Sequence, residues 1–422
     1  MARDLFEKCR DFYPSIQIPK QAGAYPFFQE IEASEGPRVR CNGRELVMAG
    51  SNNYLGLTHH PKVIAAARAA LEEYGTGCSG SRFLNGNTTI HQTLENRLAE
   101  FMGKDAALIF STGFMVNHGA IGCLFDKGDV IYSDDENHAS IIDGCRQSRG
   151  AVVKYAHADV ADCRKQIAAT WNDQTAGGIV TDGVFSMTGN IAPLPELAAL
   201  KKEFPQLKLY VDDAHGFGVF GANGRGIGEH FQCMNQIDLV MGTFSKSLAS
   251  IGGFVAGTTE VIEYVRHKAR PLWFSASIPA PSAAAALAAL EVVATEPQHR
   301  ERLWENYRFA KHGFQELRLY IMPSQAPILA IWVGSEGKAI KLTMELRDHG
   351  VFATPVAYPA VPYGHSLIRT SYMASHTRED LAFLLKAFDK LADKYQLRVD
   401  QLPGDPATMP PADDYNLDAL FE

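Results

Sequence analysis

Long apolar runs are missing from this chain. The most apolar stretch, "PSAAAALAALEVVA", is too short and too rich in alanine to cross a membrane, which takes about 20 consecutive apolar residues. An apolar leader is missing too: "MARDLFEKCRDFY" carries charges throughout, so no signal peptide is expected. Cysteine is sparse and unpatterned. Cys9, Cys41, Cys78, Cys123, Cys145, Cys163 and Cys233 form no C-x-x-C pair. That speaks against a disulfide framework or a metal site and for reduced thiols in the cytoplasm. Basic charge is short as well. Lys and Arg number 40 against 48 Asp and Glu, a net charge of −8, whereas a nucleic-acid surface needs a basic face. Small anions need only a local pocket and stay open, as does peripheral contact with a membrane.

What remains is an ordinary globular composition. At 422 residues and 46% hydrophobic content the chain is long enough for two domains with a sizeable core. Residues 1–48 read as an arm with a helical start and an extended segment, "GPRVRCNGRELVMAG". From 49 to 295 short apolar runs alternate with helical patterns. The strand candidates are "AALIFST" (106–112), "DVIYSD" (129–134), "GGIVTDGVFS" (177–186), "LKLYVDDAH" (207–215), "IDLVMGTF" (237–244) and "GGFVAG" (252–257). Ile90, Leu94, Leu98 and Phe101 share a helical face that Gly103 ends. Pro61 is placed to open a helix with Ile64, Ala67 and Leu71 on one face.

This alternation predicts an α/β domain, with a mostly parallel sheet and helices on both faces. Residues 296–398 predict a smaller α+β domain, whose last helix starts at Thr377 with a Thr377/Asp380 cap. The segment 399–422 reads as an irregular tail rich in Pro and Asp.

In such sheets ligands bind beyond the carboxyl ends of the strands, and four strand ends carry suggestive polar residues. "FSTGFMVN" turns through Ser111, Thr112 and Gly113 into a helix. A helix N-terminus suits a phosphate, although such turns also serve geometry alone. "SDDENHAS" places His138 just past a strand, where a capping role and a functional one stand level. "YVDDAHGFG" closes an apolar strand with Asp212 and Asp213, which point to opposite faces, so one of them at most faces a given site. His215 follows. In "GTFSKSLASIGGF" the strand delivers Lys246 among small hydroxyl residues. A lone lysine there is a solvated loop residue or an amine that forms Schiff bases. Taken together the four ends describe a pyridoxal-phosphate site. The lysine amine condenses with the cofactor aldehyde, a carboxylate holds the pyridine nitrogen protonated, and the helix N-terminus holds the phosphate.

These motifs, with "SNNYLGL", "GSRFLNGN", "DGVFSMTGNIAPL", "VDDAHGFGVFGANGRG", "RPLWFSASIP" and "SLIRTSYMASHT", resemble the α-oxoamine synthase family of fold-type I pyridoxal-phosphate enzymes, from about Ala49 to Tyr395. Within that family they most resemble the bacterial serine palmitoyltransferase branch. The resemblance implies that Lys246 carries the cofactor, Asp212 partners the pyridine nitrogen, His138 stacks on the ring and His215 lies near the phenolic oxygen. It implies a phosphate site from Gly113, Phe114, Thr243 and Ser245, with Ser186 beside the ring and Ser275 reaching the phosphate from a partner chain. Arg369 would grip the substrate carboxylate. Asn52 would act in the segment closing over the site.

The activity so implied is a decarboxylative condensation of L-serine with a long-chain acyl thioester in a cytoplasmic homodimer with shared active sites. Glycine C-acetyltransferases and 8-amino-7-oxononanoate synthases are the alternatives inside the family, since "VDDAH" and "TDGVFSMTGNIA" also occur in the former pattern. Aminotransferases are not expected to carry "GSRFLNGN". A non-catalytic subunit would not retain Lys246, Asp212 and both histidines. A cofactor-sensing regulator would need a DNA-binding segment.

Overall fold

In the computed structural model residues 4–172, 175–358 and 360–399 are described. The opening residues 1–3, Pro359 of the "PAVP" loop and the tail from 400 onward lie outside them. Contacts between residues divide the chain into two compact units. One comprises Asn52–Trp304 with Met373–Ser375, and the other the residues up to Ser51, Glu305–Tyr372 and those from His376 on.

In the first unit, seven short runs of apolar residues pair into one sheet: β1 (Ala106–Phe110), β2 (Val130–Asp134), β3 (Ala151–Tyr155), β4 (Gly177–Asp182), β5 (Lys208–Asp212), β6 (Leu239–Thr243) and β7 (Gly253–Gly257). Their order is β1-β7-β6-β5-β4-β2-β3. The pairs β6–β5, β5–β4, β4–β2 and β2–β3 are parallel, while β7 runs antiparallel to both β1 and β6. The strands other than β7 therefore send their carboxyl ends to one edge. Every residue of β2, β4, β6 and β7 is buried, which is why their sequences are continuous apolar runs rather than alternating ones. The pattern did not predict β3, "AVVKY". Its residues are apolar apart from Lys154, but it is a short edge strand and most of them are solvated.

Helices supply the second layer. Helix Gly113–Leu124 buries Val116, Ala120 and Ile121 in a core with Leu108, Phe110, Ile131, Ile141, Val180 and Met241. Helix Thr89–Met102 ends at Gly103, whose left-handed φ of 63° caps it as expected. Helix Pro61–Tyr74 opens on its proline, but its buried face differs from the one predicted. Val63 and Ala70 are buried, whereas Ile64 and Leu71 are 40% and 45% exposed. The helix packs on the alanine-rich helix Ala280–Thr295, whose small side chains admit close approach along the Val63–Ala70 line.

The second unit holds an antiparallel sheet in which Ser366–Ser371 lies between Ile328–Gly334 and Thr354–Val356. Helix Glu336–Asp348 belongs to it, as does helix Arg378–Ala392, which is capped reciprocally by Thr377 and Asp380. A second sheet joins the N-terminal strands Ala33–Glu35, Arg38–Cys41 and Arg44–Met48 to Val351–Phe352. Arg38 bonds Asp380 at 2.9 Å, so the N-terminal segment is fixed to the C-terminal helix. Among the described residues no helix is long and apolar enough to cross a membrane.

Candidate active site

The carboxyl ends of β1, β2, β4, β5 and β6 bring the expected residues together. After β1, Thr112 caps the helix by accepting the Met115 N–H at 3.2 Å, which leaves the first N–H groups of the helix, at Gly113 and Phe114, pointing outward. Gly113 meets the end of β6. A Cβ there would lie 2.6 Å from Thr243 Oγ1, so only glycine allows the two strand ends this close. Thr243 Oγ1 lies 3.0 Å from Ser245 Oγ. Helix N–H groups and two hydroxyls thus form one cradle, of the kind that binds a phosphate. Lys246 follows, half-buried, and Ala249 adopts a left-handed φ of 53° in the turn beyond it.

Asp212 ends β5 and is buried. Its Oδ2 accepts from Asn117 Nδ2 at 2.6 Å and its Oδ1 from the Ala214 N–H at 3.0 Å. Asp213 faces the other way, as strand alternation requires. Its Oδ2 accepts the Ile227 N–H at 2.8 Å, and its carboxyl is walled by Gly216 and Gly226, where a Cβ would lie 1.9 and 1.7 Å from it. Burial pushes the Asp213 carboxyl well above the usual carboxylate range. Asp213 is therefore a structural acid under the loop Gly216–Gly226, and Asp212 is the aspartate that faces the strand ends.

His138 follows β2 as the N-cap of helix Ala139–Gln147 and keeps an exposed ring face. Its Nδ1 lies 2.7 Å from Ser140 Oγ, and its backbone N–H donates to Asp182 Oδ2 at 2.7 Å. Desolvation holds the imidazole below its ordinary value; the Asp212 charge opposes this and the Lys246 charge adds to it. Histidine, aspartate and lysine therefore share one electrostatic site. His215, buried, pairs through Nδ1 with the Tyr54 hydroxyl at 2.7 Å, and that hydroxyl reaches Asn52 Oδ1 at 3.5 Å. Phe114 is 43% exposed, with its ring 6.5 Å from that of His138.

The other expected residues are placed as follows. Ser186 lies in the turn bridged by Val184 and Ile191, just past β4. Ser275 lines a small pocket with Ser111, which donates to the Ala276 carbonyl at 2.5 Å. Arg369 sits on the central strand of the other unit, opposite Ala330 and Thr354.

Sequence reasoning missed Tyr54, Asn117, Ser140 and Asp182. Asn117 is a buried amide in a helix that is apolar apart from it and His118, and Asp182 is a carboxylate ending a mostly apolar strand. Both are signals that could have been read. One further cluster, His60, Glu296 and His299, brings three donor atoms within 4.8 Å, but Lys62 Nζ lies 2.7 Å from Glu296 Oε1 and already neutralises that carboxylate.

This geometry fits pyridoxal phosphate: a phosphate cradle, a buried carboxylate, an exposed histidine face and a lysine within one strand-end edge. The class I and II aminotransferase family model matches residues 44–388. A serine palmitoyltransferase from Bacteriovorax stolpii is 49% identical, with 86% of each chain covered. An 8-amino-7-oxononanoate synthase from Thermoanaerobacter pseudethanolicus is 42% identical over 90% of this chain and 95% of its own. A serine palmitoyltransferase variant from S. paucimobilis, solved with PLP and myriocin bound as an aldimine, superposes with a TM-score of 0.90 at 35% identity, covering 93% of this chain and 100% of that one. The chain belongs to the class I and II aminotransferase family and, within it, to the pyridoxal-phosphate-dependent α-oxoamine synthases.

Proposed function

We propose that this protein condenses L-serine with a long-chain acyl thioester, releasing CO2 and free thiol and giving 3-ketodihydrosphingosine, the first step of sphingolipid synthesis. The observation that carries this reading is the 46–49% identity to several serine palmitoyltransferases over most of the chain, combined with the strand-end site.

Pyridoxal phosphate, when bound, supplies an electron sink for the pair left at the substrate α-carbon by loss of a proton and later of CO2. The residues divide the remaining work. Lys246 would hold the cofactor and would move the proton at the substrate α-carbon. Asp212 holds a proton at the pyridine nitrogen, which keeps the ring a competent sink. His138 offers its exposed face to the ring and orients the amino acid. His215, held by Tyr54, sets the hydrogen bonding at the phenolic oxygen. Gly113, Phe114, Thr243 and Ser245 bind the phosphate, with Ser186 beside the ring, while Arg369 and Asn52 hold the substrate. The working form in this reading is a homodimer in the cytoplasm, with Ser275 of one protomer completing the phosphate site of its partner.

Turnover of serine, glycine, alanine and threonine with acetyl and palmitoyl thioesters, read by thiol and CO2 release, tests the assignment. Serine with palmitoyl thioester should be fastest. Faster reaction of glycine with acetyl thioester would move the chain to the glycine C-acetyltransferase reading, and faster alanine turnover would favour the 8-amino-7-oxononanoate synthase reading.

A further inference from the structure

Two buried groups, Asn117 and Ser140, connect Asp212 to His138 without a gap, and Tyr210 braces Asn117. Tyr210, Asn117, Ser140 and Asp212 are each no more than 3% exposed. The Tyr210 hydroxyl lies 2.8 Å from Asn117 Oδ1. Asn117 Nδ2 lies 2.6 Å from Asp212 Oδ2 and 2.8 Å from Ser140 Oγ. Ser140 Oγ lies 2.7 Å from His138 Nδ1, and the Ser140 N–H points at that same nitrogen at 3.2 Å.

The chemistry of the groups fixes the direction of every bond in this chain. An ionised carboxylate can only accept, so the Asn117 amide must turn its NH2 toward Asp212. Its carbonyl then faces Tyr210, whose hydroxyl must donate. Burial keeps the proton on Tyr210 by pushing its pKa well up. The second Asn117 N–H goes to Ser140 Oγ, so the Ser140 proton is free to go to His138 Nδ1. That nitrogen also receives the Ser140 backbone N–H. Both donors need an unprotonated Nδ1, so in the neutral ring the proton sits on Nε2. Among the described residues Nε2 has no protein partner, which leaves its N–H for an oxygen of a bound substrate.

We propose that Asn117 and Ser140 are positioning residues that tie the ring tautomer of His138 to the ionised state of Asp212. The two sides of the site are thereby coupled: the aspartate that serves the pyridine nitrogen also sets which nitrogen of the histidine donates. The inference rests on the reading of Asp212 and His138 as cofactor-facing groups. Its test reads the histidine ring itself.

The experiment is 15N NMR of the histidine-labelled holoenzyme, with the His138 signals assigned by their loss in His138→Asn. The wild-type ring should show a single neutral tautomer protonated on Nε2. Ser140→Ala and Asn117→Ala should each yield a tautomer mixture with cofactor still bound, and Ser140→Thr should restore the single form. Loss of the Asn117 donor should also slow the reaction while the cofactor stays bound. Turnover should fall about ten- to a hundredfold. Tyr210→Phe, which removes one hydroxyl, releases the amide carbonyl and should loosen the tautomer in the same sense, and it serves if Asn117→Ala does not fold. A wild-type ring protonated on Nδ1, or a tautomer unchanged in both Ser140→Ala and the Asn117 or Tyr210 variant, would overturn the proposal. Removing the cofactor separates the two readings: His138 signals that ignore its removal would instead sink the placement of the ring at the cofactor.

Discussion

Asp182 and Asp212 stand opposite each other at the carboxyl ends of two neighbouring parallel strands, in register and both buried. Two charges cannot be held there cheaply. Burial and the Asp212 charge push the Asp182 carboxyl well above the usual carboxylate range, against the pull of the His138 N–H it accepts. Asp212, with N–H donors from Asn117 and Ala214, is the carboxylate of the pair.

This pairing gives a signed pH effect. An unfolded aspartate titrates near 3.9. Between about that pH and its raised folded value, native Asp182 keeps a proton that the unfolded chain has lost, so stability falls as pH rises through the window. Asp182→Asn removes that loss while retaining an acceptor for the His138 N–H. The melting temperature of the variant relative to wild type should climb as pH rises above about 4 and level off past the folded pKa of Asp182. Activity should stay within about tenfold of wild type. A melting difference that is flat with pH would show that Asp182 is ionised in the native state.

Gly113→Ala should weaken the cofactor cradle. The added Cβ would sit 2.6 Å from Thr243 Oγ1 and 3.0 Å from Thr243 Cβ, so the end of β6 or the start of the helix must shift. Overpacking of this kind costs about 1–3 kcal/mol, and the shift falls on the N–H groups meant for the phosphate. Pyridoxal-phosphate affinity, measured by titrating dialysed protein, should drop about tenfold or more for a shift of that cost. Unchanged affinity would place the phosphate elsewhere.

Much of this site is legible in the sequence, because it is built from strand ends. Polar residues that interrupt apolar runs at Asp212, Thr243 and Lys246 stand out along one dimension of sequence. Their partners do not. Asn117 meets Asp212 across 95 residues, and Tyr54 meets His215 across 161. Such pairs are set by how the strands are ordered in the sheet. The same limit explains β3, a short edge strand whose apolar residues stay mostly solvated, and the face of helix Pro61–Tyr74. There the alanine surface it packs on, rather than its own largest residues, chooses the buried side.

Lys246→Ala should leave the fold and the cradle intact and remove the covalent hold. Borohydride reduction of wild-type holoenzyme should add one pyridoxyl group to the peptide carrying Lys246, and reduction of the variant should add none. Turnover should fall by roughly three orders of magnitude or more, since both the covalent attachment and the proton transfer are lost. A reduced adduct on another lysine in the variant would reassign the attachment site.

The last prediction concerns assembly. Phe83 stacks on Trp273 with ring centroids 4.0 Å apart, and Phe274 lies beside Trp273. Phe83, Leu84 and Phe274 are nonetheless 55%, 75% and 75% exposed. In the other unit, helix Glu7–Gln21 buries none of its residues and exposes Phe12 and Tyr13. Exposed apolar groups are the kind of surface that a partner protomer would cover, and Ser275 directly follows Phe274 in the chain. If Ser275 of one protomer completes its partner's phosphate site, a mixed dimer of Lys246→Ala and Ser275→Trp protomers, the tryptophan filling the small pocket that Ser275 lines, contains one site with both residues intact. Co-refolding equal amounts of the two inactive variants should then recover about a quarter of wild-type activity, because about half the dimers are mixed and each of those has one live site. Sites complete within one protomer would recover none, since every site would lack Lys246 or Ser275. Sedimentation of the wild-type protein as a fully active monomer would rule out the shared arrangement outright.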